Sequence, residues 1–125
     1  MHERLPATLR SVGAARRAIR RFAADLEVDL DGIALAVSEA VANAVAHAYA
    51  DDARGSIDLS ATASPSEVTV TVRDHGRGLA AGNGNSGAGY GLTIIRRVAE
   101  HFELTDTPAG VELTMGFRRG WSASG

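Results

Sequence analysis

The chain has 125 residues, 45% of them hydrophobic, and a formal net charge of -2 at pH 7, which suits one domain with a real core. The weak negative balance argues against a general nucleic-acid binder, and there is neither a membrane-length apolar run nor the apolar segment of a secretory signal. Without cysteine there is no disulfide framework and no thiolate metal site, so the expectation is a soluble, cytoplasmic protein.

Met1 to Pro6 reads as a short, frayed strand. Thr8 to Leu26 reads as a helix, because Leu9, Val12, Ile19, Phe22 and Leu26 recur at helical spacing. Arg10, Arg16, Arg17, Arg20 and Arg21 crowd the same helix. They read equally well as a solvated face and as a docking surface for an acidic partner. Asp29 or Asp31 can cap a second helix, since a carboxylate accepts the free N–H groups of a first turn. That helix runs to about Tyr49, where Asp51-Asp52-Ala53-Arg54-Gly55 breaks it.

Ile57, Leu59 and Ala61 alternate with polar residues, as do Val68, Val70 and Val72, so both stretches predict half-buried strands. Ser64-Pro65-Ser66 joins them as a turn. A second hairpin is expected from Phe102 and Leu104, through Thr107-Pro108-Ala109-Gly110, into Val111, Leu113, Met115 and Phe117. Between the hairpins lie a Gly-rich loop, Asp74 to Gly91, and a helix from Leu92 to about His101 with Ile94, Ile95 and Val98 apolar. Helices covering one face of such a sheet make an α+β two-layer sandwich on a mixed, mainly antiparallel sheet. Residues 1–118 are expected to form this single domain, with 119–125 a disordered tail anchored by Trp121.

Chemistry concentrates in three places. On the second helix, Glu39, Asn43 and His47 stand four residues apart and so share one stripe, opposite an apolar stripe of Val37, Val41, Ala44, Val45 and Ala48. Polar residues on a helix are usually its wet face, but here the surrounding residues are nearly all Ala and Val. Asp74 follows Val68, Val70 and Val72 in the same parity and should face inward at the edge of the core. It reads either as a turn aspartate or as a pocket-floor acceptor for an exocyclic amine, with Gly76 and Gly78 letting a flat base approach the backbone. Gly82-Asn83-Gly84-Asn85-Ser86-Gly87 matches the dinucleotide fingerprint literally but lacks its βαβ setting, so it reads as a flexible loop or lid. Gly87-Ala88-Gly89-Tyr90-Gly91-Leu92 ends where a helix begins, a place that favours phosphate. All thirteen basic residues are Arg. Without Lys there is no Walker A loop, no strand lysine of a eukaryotic-type kinase and no Schiff base, so phosphates would rest on backbone N–H groups, a metal ion and Arg.

Taken together, Glu39-x-x-x-Asn43 on a helix, Asp74-x-Gly76-x-Gly78 after a strand and Gly89-x-Gly91-Leu92 opening a helix resemble the N box and the first two glycine boxes of the GHKL ATPases. Within that superfamily, Glu39 to Ala44 followed by His47-Ala48-Tyr49 is similar to the N box of the anti-sigma factor serine kinases. The resemblance spans nearly the whole chain. It implies the Bergerat-type ATP-binding fold, with ATP and Mg²⁺ as cofactors. It implies further that Asn43 binds Mg²⁺, Asp74 holds the adenine amino group, and Gly76, Gly78, Gly89, Tyr90, Gly91 and Leu92 surround the nucleotide. Glu39 would be the general base. The implied partners are a sigma factor and an anti-anti-sigma protein of the STAS fold whose serine is phosphorylated; the resemblance also admits a homodimer, and implies no direct contact with nucleic acid or membrane. One departure stands out: the family's third glycine box commonly reads Gly-Thr, whereas Gly110-Val111 occupies that place here. His47 is assigned a structural hydrogen bond. The rival readings are a module that holds nucleotide without phosphoryl transfer and the ATPase domain of a sensor histidine kinase.

Overall fold

A computed structural model describes residues 1–48, 55–75, 92–107 and 110–120. Five strands, β1 (His2–Pro6), β2 (Ser56–Ala63), β3 (Glu67–Asp74), β4 (His101–Thr107) and β5 (Gly110–Arg118), form one sheet in the order β1-β2-β3-β5-β4. Every pairing among the described residues is antiparallel, in keeping with the mainly antiparallel sheet expected from the sequence. Among the described residues, three helices, α1 (Arg10–Ala23), α2 (Leu30–Ala48) and α3 (Thr93–Val98), complete an α+β sandwich.

Strand alternation sets the two faces of the sheet. Ile57, Leu59, Ala61, Val68, Val70, Val72, Val111, Leu113, Met115 and Phe117 all turn to the core and are buried. Ser56, Asp58, Ser60, Thr69, Thr71, Glu112 and Thr114 alternate with them on the other face. There the Thr71 and Thr114 hydroxyls sit 3.3 Å apart across the β3–β5 pair.

α2 is more deeply enclosed than one apolar stripe predicts. Ile33, Ala34, Ala36, Val37, Ala40, Val41 and Ala44 are all buried, because the helix packs against α1, α3 and the sheet at once. Small side chains are what let one helix meet three neighbours. Asp29, not Asp31, caps it: the Gly32 N–H donates to Asp29 Oδ1 at 3.0 Å, while Asp31 is exposed and takes a hydrogen bond from Arg20 at 2.9 Å.

α1 is shorter than its periodicity suggests. Leu9 precedes its first turn and is 75% exposed, and the buried face is Ser11, Ala15, Ala18, Ile19 and Ala23. The Ser11 hydroxyl is satisfied there by the Pro6 carbonyl. α3 ends at Val98 rather than near His101, because Ala99 turns extended and His101 is already paired with Gly116 in β4. Arg119 and Gly120, assigned by sequence to the tail, are tied back through Arg119 N–H to Ser66 O at 2.9 Å and Gly120 N–H to Glu27 O at 2.6 Å. Residues 121–125 lie outside the described residues. No described helix is long and apolar enough to cross a membrane.

Candidate functional site

The end of β3 and the middle of α2 face each other across a cleft of about 280 Å³, mouth included. Its walls are Ala40, Asn43 and Ala44 from α2, Val72 and Asp74 from β3, Leu92 at the start of α3, Leu104 from β4, and Val111 and Leu113 from β5. Most of these are aliphatic. Among the described residues, two polar side chains, Asn43 and Asp74, therefore decide what the cleft can recognise, as is usual where an apolar pocket carries a few oriented polar groups.

Asp74 is 2% exposed. A buried carboxylate needs donors, and one is the Val111 backbone N–H, 3.2 Å from Oδ1. This contact explains how valine can stand where a threonine was expected, because the peptide group of position 111 reaches Asp74 whatever its side chain. Gly110 is equally tied to the site. Its φ is +141°, and a Cβ there would overlap the Asp74 carbonyl oxygen and approach its Oδ1 to 2.9 Å. The acidic end of the cleft thus depends on a glycine from another strand.

Asn43 brings the second polar group. Its Nδ2 is buried and has no hydrogen-bond partner. Leaving such a group unpaired costs about 1–3 kcal/mol, so it marks a place where a ligand would contribute. The oxygen and nitrogen of an amide exchange by a flip, so either can be offered to what enters. The residues fit the nucleotide and the cation implied by the sequence resemblance: a hard amide oxygen suits Mg²⁺, and a buried carboxylate in an apolar slot suits an amino donor on a flat ring.

The structure brings together Asn43, Asp74 and Leu92. Glu39 does not line the cleft; it is half-buried one turn earlier on α2. Gly76, Gly78, Gly89, Tyr90 and Gly91 lie outside the described residues, as do the loop 82–87 and the side chain of His47. Sequence reasoning did not place Ala40, Ala44 or Leu104 in the site, and it offered Gly110 only with Val111, as the counterpart of the third glycine box. Ala40 and Ala44 could have been found as small residues flanking Asn43 on one helical face. Gly110 carried a weaker signal, since glycine after Pro108-Ala109 reads first as a turn.

Of the α1 arginines, Arg16 Nε donates to Ser38 Oγ at 3.0 Å and Arg20 pairs with Asp31. Arg10, Arg17 and Arg21 have no acidic partner among the described residues.

A family model described as a histidine kinase-like ATPase domain matches residues 5–117. Comparison with curated protein sequences found no match. Among solved structures, the chain is similar to the RsbU and RsbW domains of Rv1364c from Mycobacterium tuberculosis, at 26% identity and TM-score 0.77, over 98% of this chain and 33% of that one. It therefore spans about a third of that protein's resolved length. It also resembles the histidine kinase domain of a blue-light activated histidine kinase from Erythrobacter litoralis, at 22% identity and TM-score 0.56, over 90% and 60% of the two chains. A third likeness is to the Acinetobacter baumannii histidine kinase AdeS, at 13% identity and TM-score 0.56, over 97% and 68%. At these last two identities the likeness shows the fold alone.

Proposed function

The chain belongs to the histidine kinase-like ATPase domain family, and from that premise we propose that it is an anti-sigma factor and protein-serine kinase that binds Mg²⁺ and ATP in the cleft between α2 and the end of β3. The observation that carries this reading is the meeting of Asn43 and Asp74 in one aliphatic slot. Asp74 accepts a hydrogen bond from the adenine amino group. Val72, Leu92, Leu104, Val111 and Leu113 exclude water around the base. Asn43 turns its amide oxygen to Mg²⁺, which when bound offsets the charge on the phosphates.

The serine hydroxyl to be phosphorylated comes from a partner of the STAS fold, and Glu39 takes its proton. The unpaired Arg10, Arg17 and Arg21 offer a surface for an acidic partner, a sigma factor or the STAS protein. The anti-sigma reading draws support from the resemblance of Glu39 to Tyr49 to the N box of those kinases. It also draws support from the stronger structural likeness to a protein with an RsbW domain than to the two histidine kinases.

A second reading is favoured by one observation: Glu39 stands back from the cleft. On that reading the chain holds nucleotide and sequesters a regulator without phosphoryl transfer. Incubation with γ-labelled ATP and a STAS protein from the same cell separates the two. The kinase reading expects phosphoserine on the partner, and expects Glu39→Gln to slow its formation by roughly 10²–10⁴-fold with ATP affinity kept. Normal transfer by Glu39→Gln removes Glu39 as the base. No transfer by the wild type with any such partner leaves the binding module.

A further inference from the structure

Successive residues of a strand point to opposite faces, so Asp74 and His75 diverge. Asp74 enters the cleft. It is also the last residue of its ladder: the β2–β3 pairing ends at Ile57↔Asp74, and the β3–β5 pairing already ends at Arg73↔Glu112. Strand ends open locally more easily than strand centres, and a carboxylate carried on such an end is only as well placed as its backbone.

His75 supplies a fastening one residue further on. Its Nε2 lies 2.5 Å from Asp58 Oδ2 on β2. Asp58 also accepts from Arg4 Nε of β1 at 3.0 Å and lies 3.4 Å from His2 Nε2. The Arg4 hydrogen bond, with help from His75, draws the Asp58 carboxyl down to about 2, so this acceptor stays charged at any working pH. Arg4, Asp58 and His75 thus tie three strands together across the back of the sheet, directly behind the acidic end of the cleft.

We propose that His75, held on Asp58, is a positioning residue for nucleotide: it fixes the end of β3 and through it the Asp74 carboxylate. The proposal rests on the nucleotide reading of the cleft. Because Asp58 carries a full charge, its contact with the imidazole is charge-assisted, a kind of bond that is shorter and stronger than a neutral one. Breaking that contact should therefore loosen the end of β3 and weaken nucleotide binding. Among the described residues, the charged groups around the ring are Asp58 from β2 and, through the same carboxylate, Arg4 and His2 from β1. Arg73 stands two residues back on the same face of β3, with Glu112 of β5 opposite it.

The test is calorimetric titration of the full chain with Mg·ADP at one fixed pH, for the wild type, His75→Ala, His75→Gln, Asp58→Asn and His2→Gln. His75→Ala and Asp58→Asn should bind roughly three- to tenfold more weakly, the range expected from losing one charge-assisted bond. His75→Gln keeps a donor for Asp58, so it should restore affinity to within about twofold of the wild type. His2→Gln should bind as the wild type does. If His75→Ala fails to fold, Asp58→Asn and His75→Gln decide the matter. Variants that melt earlier but bind with the wild type's affinity overturn the proposal and leave the nucleotide reading standing. No binding of Mg·ADP by the wild type removes the nucleotide reading, and the proposal with it.

Discussion

Replacing Gly110 by alanine tests how the acidic end of the cleft is held in place. Gly110 has φ +141°, where a side chain is strained, and that strain amounts to about 1–3 kcal/mol. Its new Cβ would also overlap the Asp74 carbonyl oxygen, and forcing extra volume into a packed site costs about 1–3 kcal/mol more. The sum, about 2–6 kcal/mol, is a large share of the roughly 5–15 kcal/mol that holds a typical domain folded. Gly120 is the internal control. Its φ is +93°, and a Cβ there would meet nothing within 4 Å, so Gly120→Ala carries the conformational strain without the overlap. Thermal unfolding at pH 7 should show Gly110→Ala melting lower than Gly120→Ala by about 4–12 °C, taking about 4 °C for each kcal/mol in a domain of this size. Below its melting point, Gly110→Ala should also bind ATP at least about tenfold more weakly, because the displaced backbone carries the Asp74 carboxylate with it. Gly120→Ala should bind normally. Equal melting losses in the two variants, or wild-type ATP affinity in Gly110→Ala, would refute the packing of Gly110 on Asp74 as the cause.

Three shorter expectations follow from the same geometry. Asn43→Ala should weaken ATP binding sharply in the presence of Mg²⁺, with a smaller difference once the metal is chelated; calorimetry with and without chelator checks it, and unchanged affinity would remove Asn43 as the metal ligand. ATP should outcompete GTP by at least about tenfold, because guanine sets a carbonyl against the Asp74 carboxylate and leaves it unpaired at roughly 1–3 kcal/mol or more; equal binding would exclude Asp74 as the base acceptor. The charge on Asp58 should stabilise the fold by about 1 kcal/mol after allowance for solvent screening. Its carboxyl is drawn from 3.8 to about 2, so that contribution is complete above the unfolded value and disappears as pH falls through about 2; the stability gap between wild type and Asp58→Asn should close over that interval in urea titrations.

Much of the architecture was legible in the chain. The period-two runs around Val70 and Leu113 gave both hairpins, and the parity of Asp74 with Val68, Val70 and Val72 correctly aimed it into the core. What was not legible depended on partners distant in sequence. Periodicity could not reveal that α2 would be enclosed by α1, α3 and the sheet, so Ile33, Ala36 and Ala40 were not recognised as core. Nor could it choose between Asp29 and Asp31 as the cap, because the choice rests on Arg20 of the preceding helix holding Asp31. Leu9 looked apolar and periodic but sits before the first turn of α1, where helical spacing no longer predicts burial. In the site, Asn43 and Asp74 could each be suspected from their surroundings. Their meeting in one cleft, and the service of Val111 through its backbone, required the fold.

The composition of α2 links its two roles. A helix packed against three neighbours can carry few large side chains, and Ala34, Ala36, Ala40 and Ala44 meet that demand. The same economy of volume opens the cleft. Where α2 passes the end of β3, Ala40 and Ala44 leave room that a leucine at either position would fill, and Asn43 stands between them at the edge of that room. On the sheet side, Gly110 does the corresponding thing for Asp74 by leaving its carbonyl and carboxylate uncrowded. The polar pair therefore sits in a gap that small residues keep open from both layers. Changes that enlarge Ala40, Ala44 or Gly110 act on the site through packing, without touching either polar group.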